Sequence, residues 1–452
     1  MRRALGSLLW VGVAVLVGSS DVFAAFSNSL RLSHSARQGG MGGVCTAIAD
    51  DGIAPLCNPA GMAFQEGRVV SFENVLALPH FEYSDPQNHE RSGTEGGNGV
   101  GTLGDIGFVH RVGGSPFAYG IGLYTYSGVR MKYDLNTTVL VPAGSEPADF
   151  DFFMTHHRLI TSLSAQLGPA VSVGAGYIAG YQQFNISLPD QYSNNVEPPG
   201  VAGLKGYVDI DSEGWGQGGV FGGQVKLGSR TRLGASYTMP MWVRLEGDYE
   251  VTIRNDPTLK PFGVFETDHA KFDFSSMYRW PQTATIGVAH QVNDRWLVAA
   301  DWQWFDWSAA TDTFDYTVSN SDHPGVVAVL AALGSTGDAR EAVTLDAKDA
   351  FVYKFGTEYQ IHPRLTLRGG YSYATNPVEK ERVVPLFNGI MQHTLTLGVG
   401  TQLSIWDIDL AWNHAFTNSV AVSNSAIEGG EYNQSKTSAG ADLLFLGLRT
   451  RF

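Results

Sequence analysis

Segments of alternating apolar and polar residues recur along this chain, and the connections between them alternate strictly between tight and long. Fourteen strands are read near 68–83, 105–113, 116–127, 153–168, 170–185, 213–228, 231–253, 268–291, 295–317, 349–361, 364–376, 391–403, 406–417 and 440–452. The tight connections are Gly113-Gly114-Ser115, Gly168-Pro169, Gly228-Ser229-Arg230, Asn293-Asp294, His362-Pro363 and the segment around Ser404-Ile405. The long ones cover about 84–104, 128–152, 186–212, 254–267, 318–348, 377–390 and 418–439. Such a chain places every short turn at one end of the sheet, which is how transmembrane barrels are built. A soluble sandwich gives no reason for the rule.

The pattern inside the strands agrees. A strand sends successive side chains to opposite faces. In 351–360, Phe351, Tyr353, Phe355 and Tyr359 oppose Lys354, Gly356, Glu358 and Gln360. In 406–416, Trp406, Ile408, Leu410, Trp412 and Phe416 oppose Asp407, Asp409 and Asn413. Charges on the inner face would be costly in a dry core but are tolerated in a hydrated lumen. The last strand carries Leu444, Leu446, Leu448 and Phe452 on one face, with Gly447, Arg449 and Arg451 on the other. This resembles the closing strand and assembly signal of bacterial outer-membrane proteins, and it implies the barrel assembly machinery as a partner. An even strand count closes without a free edge. The Trp302–Trp304–Trp307 cluster reads as an interface belt.

Composition sets the compartment. Arg2 and Arg3, the apolar stretch Leu8 to Gly18 and the small-residue site Val22-Phe23-Ala24 read as a secretory leader over 1–24. No run of 18 apolar residues follows, so no spanning helix is expected. Glycine supplies 54 of the 452 residues, well above the usual ~7%. Charged residues make up only 16%, against a usual ~25%. A net charge of −14 argues against nucleic-acid partners. Cys45 and Cys57 either close one disulfide in an oxidising periplasm or sit as two small buried side chains.

Residues 25–67 do not alternate and are too many for a lead-in, so they are placed inside the barrel as a plug. Within them, Q-G-G-M-G-G-V-C-T-A-I-A-D-D-G-I-A-P-L-C-N-P-A-G-M-A-F at 38–64 resembles the hatch signature of the FadL/TodX family. That family comprises outer-membrane transporters for long-chain fatty acids and, in one branch, aromatic hydrocarbons. The likeness continues through Y-G-I-G-L-Y-T-Y-S-G at 119–128, T-R-L-G-A-S-Y at 231–237, L-E-G-D at 245–248, W-P-Q-T-A-T-I-G-V-A at 280–289, D-R-W-L-V-A-A-D-W-Q-W at 294–304 and L-T-L-R-G-G-Y-S-Y at 365–373. The cysteine pair is not part of the general pattern.

The resemblance implies an all-β, 14-stranded antiparallel transmembrane barrel over 68–452, plugged by an N-terminal hatch over 25–67. It implies passive uptake of hydrophobic molecules, long-chain fatty acids first and aromatic hydrocarbons as the alternative. Cargo would be captured by extracellular loops and released sideways at a kinked third strand after the hatch rearranges. Asp50, Asp51, Asn58, Pro59, Ala60 and Gly61 carry the hatch motif. The two aspartates are expected to cap helices or bond the plug to the wall, and Asn58-Pro59 to turn into the first strand.

Gly120, Gly122 and Gly128 are candidates for the gate strand, with ordinary packing of small residues as the alternative. V-V-A-V-L-A-A-L at 326–333 is too apolar for a solvated loop and is predicted to form a short helix, receiving substrate or acting as a lid. A fatty-acid carboxylate would seek a cation, and Arg158, Arg279, Lys354 and Arg368 are placed in the lumen by strand parity.

An outer-membrane enzyme such as a lipase is the disfavoured alternative. His156 and His157 point to opposite faces, and no Gly-x-Ser-x-Gly or paired-histidine metal motif occurs. No metal or cofactor is expected. A general porin remains as a lesser alternative, against which the plug argues. The expected partners are the hydrophobic solute, outer-membrane lipid and lipopolysaccharide, around a monomer.

Overall fold

The computed structural model describes residues 32–88, 91–92, 101–137, 147–192, 195–253, 257–265, 268–386, 389–427 and 432–452. The leader expected over 1–24 and residues 25–31 of the N-terminal segment lie outside them.

Fourteen antiparallel strands close into one barrel. In chain order they are β1 (Arg68–Ser84), β2 (Gly101–Arg111), β3 (Phe117–Leu135), β4 (Ala148–Leu167), β5 (Val171–Gln191), β6 (Lys205–Leu227), β7 (Thr231–Thr238 and Met241–Ile253), β8 (His269–Trp280 and Thr283–Asn293), β9 (Trp296–Phe305 and Thr313–Ser319), β10 (Ala339–Thr344 and Ala350–His362), β11 (Leu365–Ala374), β12 (His393–Leu403), β13 (Trp406–Val422) and β14 (Ser435–Arg451). Closure is direct: β14 pairs with β1 from Val69↔Arg451 to Ser84↔Lys436. The Phe452 carbonyl accepts the Arg68 N–H at 2.8 Å, and Phe452 N–H donates back at 3.0 Å. Leu444 and Leu446 face outward while Arg449 faces in and meets Asp407 at 3.0 Å. The tight turns fall as expected, with Gly114, Gly168 and Gly228 at φ of 71°, 80° and 71°, a region that suits glycine.

β3 to β6 run further on the long-loop side than their sequence pattern suggests; β3 reaches Leu135 where 127 was expected. A larger departure lies in β7 to β10, which are interrupted at one level. Met239-Pro240, Pro281-Gln282, residues 306–312 and residues 345–349 interrupt four neighbouring strands. Proline has no N–H for the ladder, which accounts for the first two breaks. Each break also reverses the in–out phase. In lower β8, Thr283 and Thr285 face in, so odd residues are internal; in upper β8, Phe272, Phe274 and Trp280 face in. Short helix α1 (Trp307–Ala310) fills the gap in β9.

Two expectations fall to this slip. Arg279, counted through an unbroken 268–291 strand, should face the lumen. It lies on the outer face, 5.2 Å from the Trp242 ring, donating to the Ala309 carbonyl at 2.7 Å. Trp307 is not part of a surface belt: it is turned inward and is only 1% exposed. Trp302 and Trp304 remain on the outward-facing side of β9.

The high glycine content has a tertiary explanation. A Cβ on Gly107 would meet the Gly52 carbonyl, one on Gly174 the backbone of Pro59 and Ala60, and one on Gly222 the Asn58 side chain. The same holds for Gly234 against Thr46, Gly356 against Met41 and Gly398 against Gly40. These glycines sit on β2, β5, β6, β7, β10 and β12 and let the backbone of residues 40–60 approach the wall closely.

Candidate functional site

Residues 32–67 are largely buried against inward-facing side chains of the strands. Their contacts are strongly polar. Arg37 donates to both carboxylate oxygens of Glu358 on β10, at 3.0 and 3.1 Å, and also pairs with Asp50. Glu358 is shared with Arg368 of β11 at 2.7 Å, and Arg368 reaches Asp409 of β13 at 2.7 Å. Asp301 of β9 accepts the N–H groups of Cys45 and Thr46 at 2.8 and 3.0 Å, and Glu73 of β1 accepts that of Ala36 at 2.8 Å. Charge-assisted bonds with fully used acceptors of this kind are the strong ones.

The motif residues hold this segment together. Burial works against the Asp50 charge, but Arg37, then Arg232, Arg449 and Arg451, hold its carboxyl below the usual range. Burial dominates at Asp51 and lifts its carboxyl above that range, even though it accepts the Ile53 N–H at 2.9 Å. Asn58 does not turn the chain into β1. It caps the 3₁₀ turn Pro59–Phe64, accepting the Ala60 N–H at 3.1 Å, and donates to the carbonyls of Thr46 and Gly223. Ala60 is fully buried, and a Cβ on Gly61 would strike the Ala49 carbonyl. Cys45 and Cys57 have Cα atoms 6.3 Å apart, within disulfide reach.

Among the described residues, ladder pairing along the β2–β3 seam is incomplete. These strands form ladder pairs only from Asp105↔Tyr124 to Arg111↔Ala118; Gly101–Gly104 continue the ladder with β1, Ser127 onward continues it with β4, and across the gap the Thr125 hydroxyl donates to the Gly104 carbonyl at 3.0 Å. A bulge between Thr125 and Ser127 shifts the register. Asp105 accepts the Thr125 N–H at 2.7 Å and faces His34 of the N-terminal segment at 3.2 Å. Of the candidate glycines, Gly128 sits just past this bulge. Gly120 instead makes room for Met62 and Pro55, and Gly122 for the Tyr124 hydroxyl, which donates to the Gly52 carbonyl at 2.8 Å.

Above this level the lumen changes character. Phe150, Phe152, Met154, Phe184, Phe274 and Tyr316 are buried in one apolar cluster. Rings meet edge to face, as Phe152–Phe184 at 5.7 Å and Tyr249–Phe272 at 5.9 Å. Arg158 lies at its floor, 2% exposed, with its guanidinium 3.3 Å over Tyr126 and its Nε–H donating to His156 Nε2 at 3.1 Å. Among the described residues it pairs with no carboxylate. Arg368 is committed to Glu358 and Asp409, and Lys354 lies under the N-terminal segment, 3.4 Å from the Leu32 carbonyl.

At the mouth, the expected helix is present as α2 (Pro324–Ala332), capped by the His323 side chain. Its Val326, Val329 and Leu330 help line a small apolar pocket with Val251, Leu259 and Phe272.

Sequence reasoning missed Arg37, Glu358, Asp409, Asp301 and His34. Inward parity was a signal for the three strand carboxylates, but nothing local named their partners. No group of three or more His, Cys, Asp or Glu among the described residues is placed to hold a metal ion.

A family model described as outer membrane protein transport protein (OMPP1/FadL/TodX) matches residues 18–452. The toluene transporter TbuX of Ralstonia pickettii is 21% identical, covering 93% of this chain and 98% of its own, with a TM-score of 0.71. The P. putida toluene transporter TodX is 20% identical over 93% and 99%, with a TM-score of 0.75. A Pseudomonas aeruginosa FadL homologue is 18% identical over 94% and 100%, with a TM-score of 0.74. No curated protein sequence matches the chain. At such identities the structural likeness speaks for the fold, and membership rests on the family model. The chain belongs to the OMPP1/FadL/TodX family of transport proteins of the bacterial outer membrane.

Proposed function

We propose that this barrel takes up small aromatic hydrocarbons passively, with residues 32–67 acting as its hatch and the β2–β3 seam as its lateral exit. The observation that carries the reading is the aromatic upper lumen, which ends beside the bulge at Tyr126. A flat apolar solute gains by leaving water for such a wall, and edge-to-face ring contacts add to it. The similar toluene transporters of Ralstonia pickettii and P. putida support this cargo over the fatty acid expected first from the sequence.

Solute would enter at the pocket beside α2, cross the upper chamber and leave sideways past Tyr126 into the bilayer. A Cys45–Cys57 disulfide would make the hatch move as a unit. The barrel is read as a monomer, with lipid and lipopolysaccharide around it and the assembly machinery recognising its C-terminal strand.

One observation favours a second cargo: Arg158, buried without a carboxylate partner among the described residues, would suit a fatty acid headgroup. Uptake of radiolabelled toluene and oleate by a deletion strain carrying the gene decides between them. Faster toluene entry than in the empty strain is expected. Unchanged entry of both solutes would sink the transporter reading.

A further inference from the structure

We propose that Trp280 is the size and shape filter of this channel: a crossbar through the lumen that yields only to a flat aromatic ring no larger than its own indole. The inference rests on the channel reading above and concerns what sets its cargo.

The phase slip in β8 produces the crossbar. Counted in register with Thr283 and Thr285, residue 280 would face lipid; the break at Pro281-Gln282 turns it inward, where Trp280 is fully buried. Its ring then crosses from β8 to β3, β4 and β5. It stacks on His156 of β4, with centroids 4.5 Å apart and planes at 26°. It stands edge-on to Tyr126 of β3 at 5.9 Å, and its Nε1–H donates to Gln182 Oε1 of β5 at 2.7 Å.

Strand register places this bar between the two compartments. His156 pairs with Gln182; one inward step toward the loops lie Met154 and Phe184, and one step the other way lie Arg158 and Gly180. Cargo passing from the aromatic chamber to the seam at Tyr126 therefore meets the indole.

Stacking and one hydrogen bond hold the bar, but polar groups beside it are left unsatisfied. Gln182 Nε2 and Trp307 Nε1 have no hydrogen-bond partner among the described residues. Buried polar atoms left so are costly in a fixed scaffold. Trp307 and Tyr278 pack beside Trp280, with centroids at 6.4 and 5.4 Å. An incoming ring recovers the stacking on His156 and the edge contact with Tyr126, whereas a flexible acyl chain recovers neither. A ring system wider than indole does not fit the vacated slot.

The test compares uptake of toluene, naphthalene and phenanthrene by deletion-strain cells expressing wild type, Trp280→Ala or Trp280→Phe. Heat-modifiable gel mobility confirms folding of each barrel. Trp280→Ala is expected to raise the phenanthrene-to-toluene ratio at least ~10-fold, with Trp280→Phe between. An unchanged ratio in folded Trp280→Ala barrels overturns the filter, while wild-type toluene entry no faster than without the channel overturns the cargo reading instead. Crystals of the wild-type protein soaked in bromobenzene give a readout independent of transport. Bromine between His156 and Tyr126 with the indole displaced supports the filter. Bromine confined to the upper chamber, or absent from the lumen, counts against it.

Discussion

The lower and upper halves of this lumen are lined by the same strands and have opposite chemistry. Below, Arg37, Glu358, Arg368 and Asp409 form a chain of ion pairs between the N-terminal segment and three strands. Above, Phe152, Phe184, Phe274 and Tyr316 present rings to one another. The lower half uses nearly every charge it buries, which suits a seat. The upper half offers area without direction, which suits passage. Directional bonds hold one partner in one pose, and non-directional burial lets a solute slide.

The largest effect is expected in the seat. Glu358→Ala leaves Arg37 and Arg368 without their shared carboxylate, and breaking a buried pair from one side costs about 3–5 kcal/mol. Hydrogen exchange over residues 36–58 should rise sharply and cells should admit vancomycin; unaltered protection would mean the ion chain does not hold the hatch. Gly356→Val forces a side chain against the Met41 carbonyl, and overpacking of this kind costs about 1–3 kcal/mol. The same exchange should rise, though less.

In the upper half, Phe184→Gln should leave hatch exchange unchanged and lower toluene uptake about tenfold, as expected from losing ~50 Å² of apolar contact. Loss of hatch protection in that variant would erase the division drawn here between the halves.

Acid probes the seat more gently. Asp50 has its carboxyl held below the usual carboxylate range, so its contribution is complete above that range and fades as pH falls through the depressed value. Asp51, raised by burial, acts oppositely: its ionisation is a cost that acid relieves. Hatch protection, corrected for intrinsic exchange, should hold to about pH 4 and then weaken. Asp50→Asn should flatten that loss. The smallest effect belongs to Arg232→Gln. Arg232 is 3.8 Å from Asp50 and partly exposed, so about 0–1 kcal/mol is expected, visible only as a slight rise in exchange near Asp50.

Much of the wall was legible in the residues. Phe355, Leu397 and Leu410 face out and Lys354, Gly398 and Asp409 face in, as alternation requires, because the side-chain period of a strand is local. The helix at 326–333 was legible for a similar reason, an apolar run where a loop should be polar. Arg279 and Trp307 were misplaced because parity survives only while the strand is unbroken, and the offset across Pro281-Gln282 depends on how neighbouring strands pair. The candidate site was less legible: Arg368 and Lys354 face the lumen as parity requires, but no local pattern names the Glu358, Asp409 and Leu32 carbonyl contacts they make there.

Strand number, connection rhythm and the inward or outward sense of unbroken strands follow from the sequence alone, since each depends on neighbours one or two residues away. Which carboxylate Arg37 meets, 321 residues along the chain, and which glycines must stay bare where residues 40–60 approach the wall are tertiary facts. So is the inward turn of Trp280. Each depends on strands brought together by closure, and no local period encodes that distance.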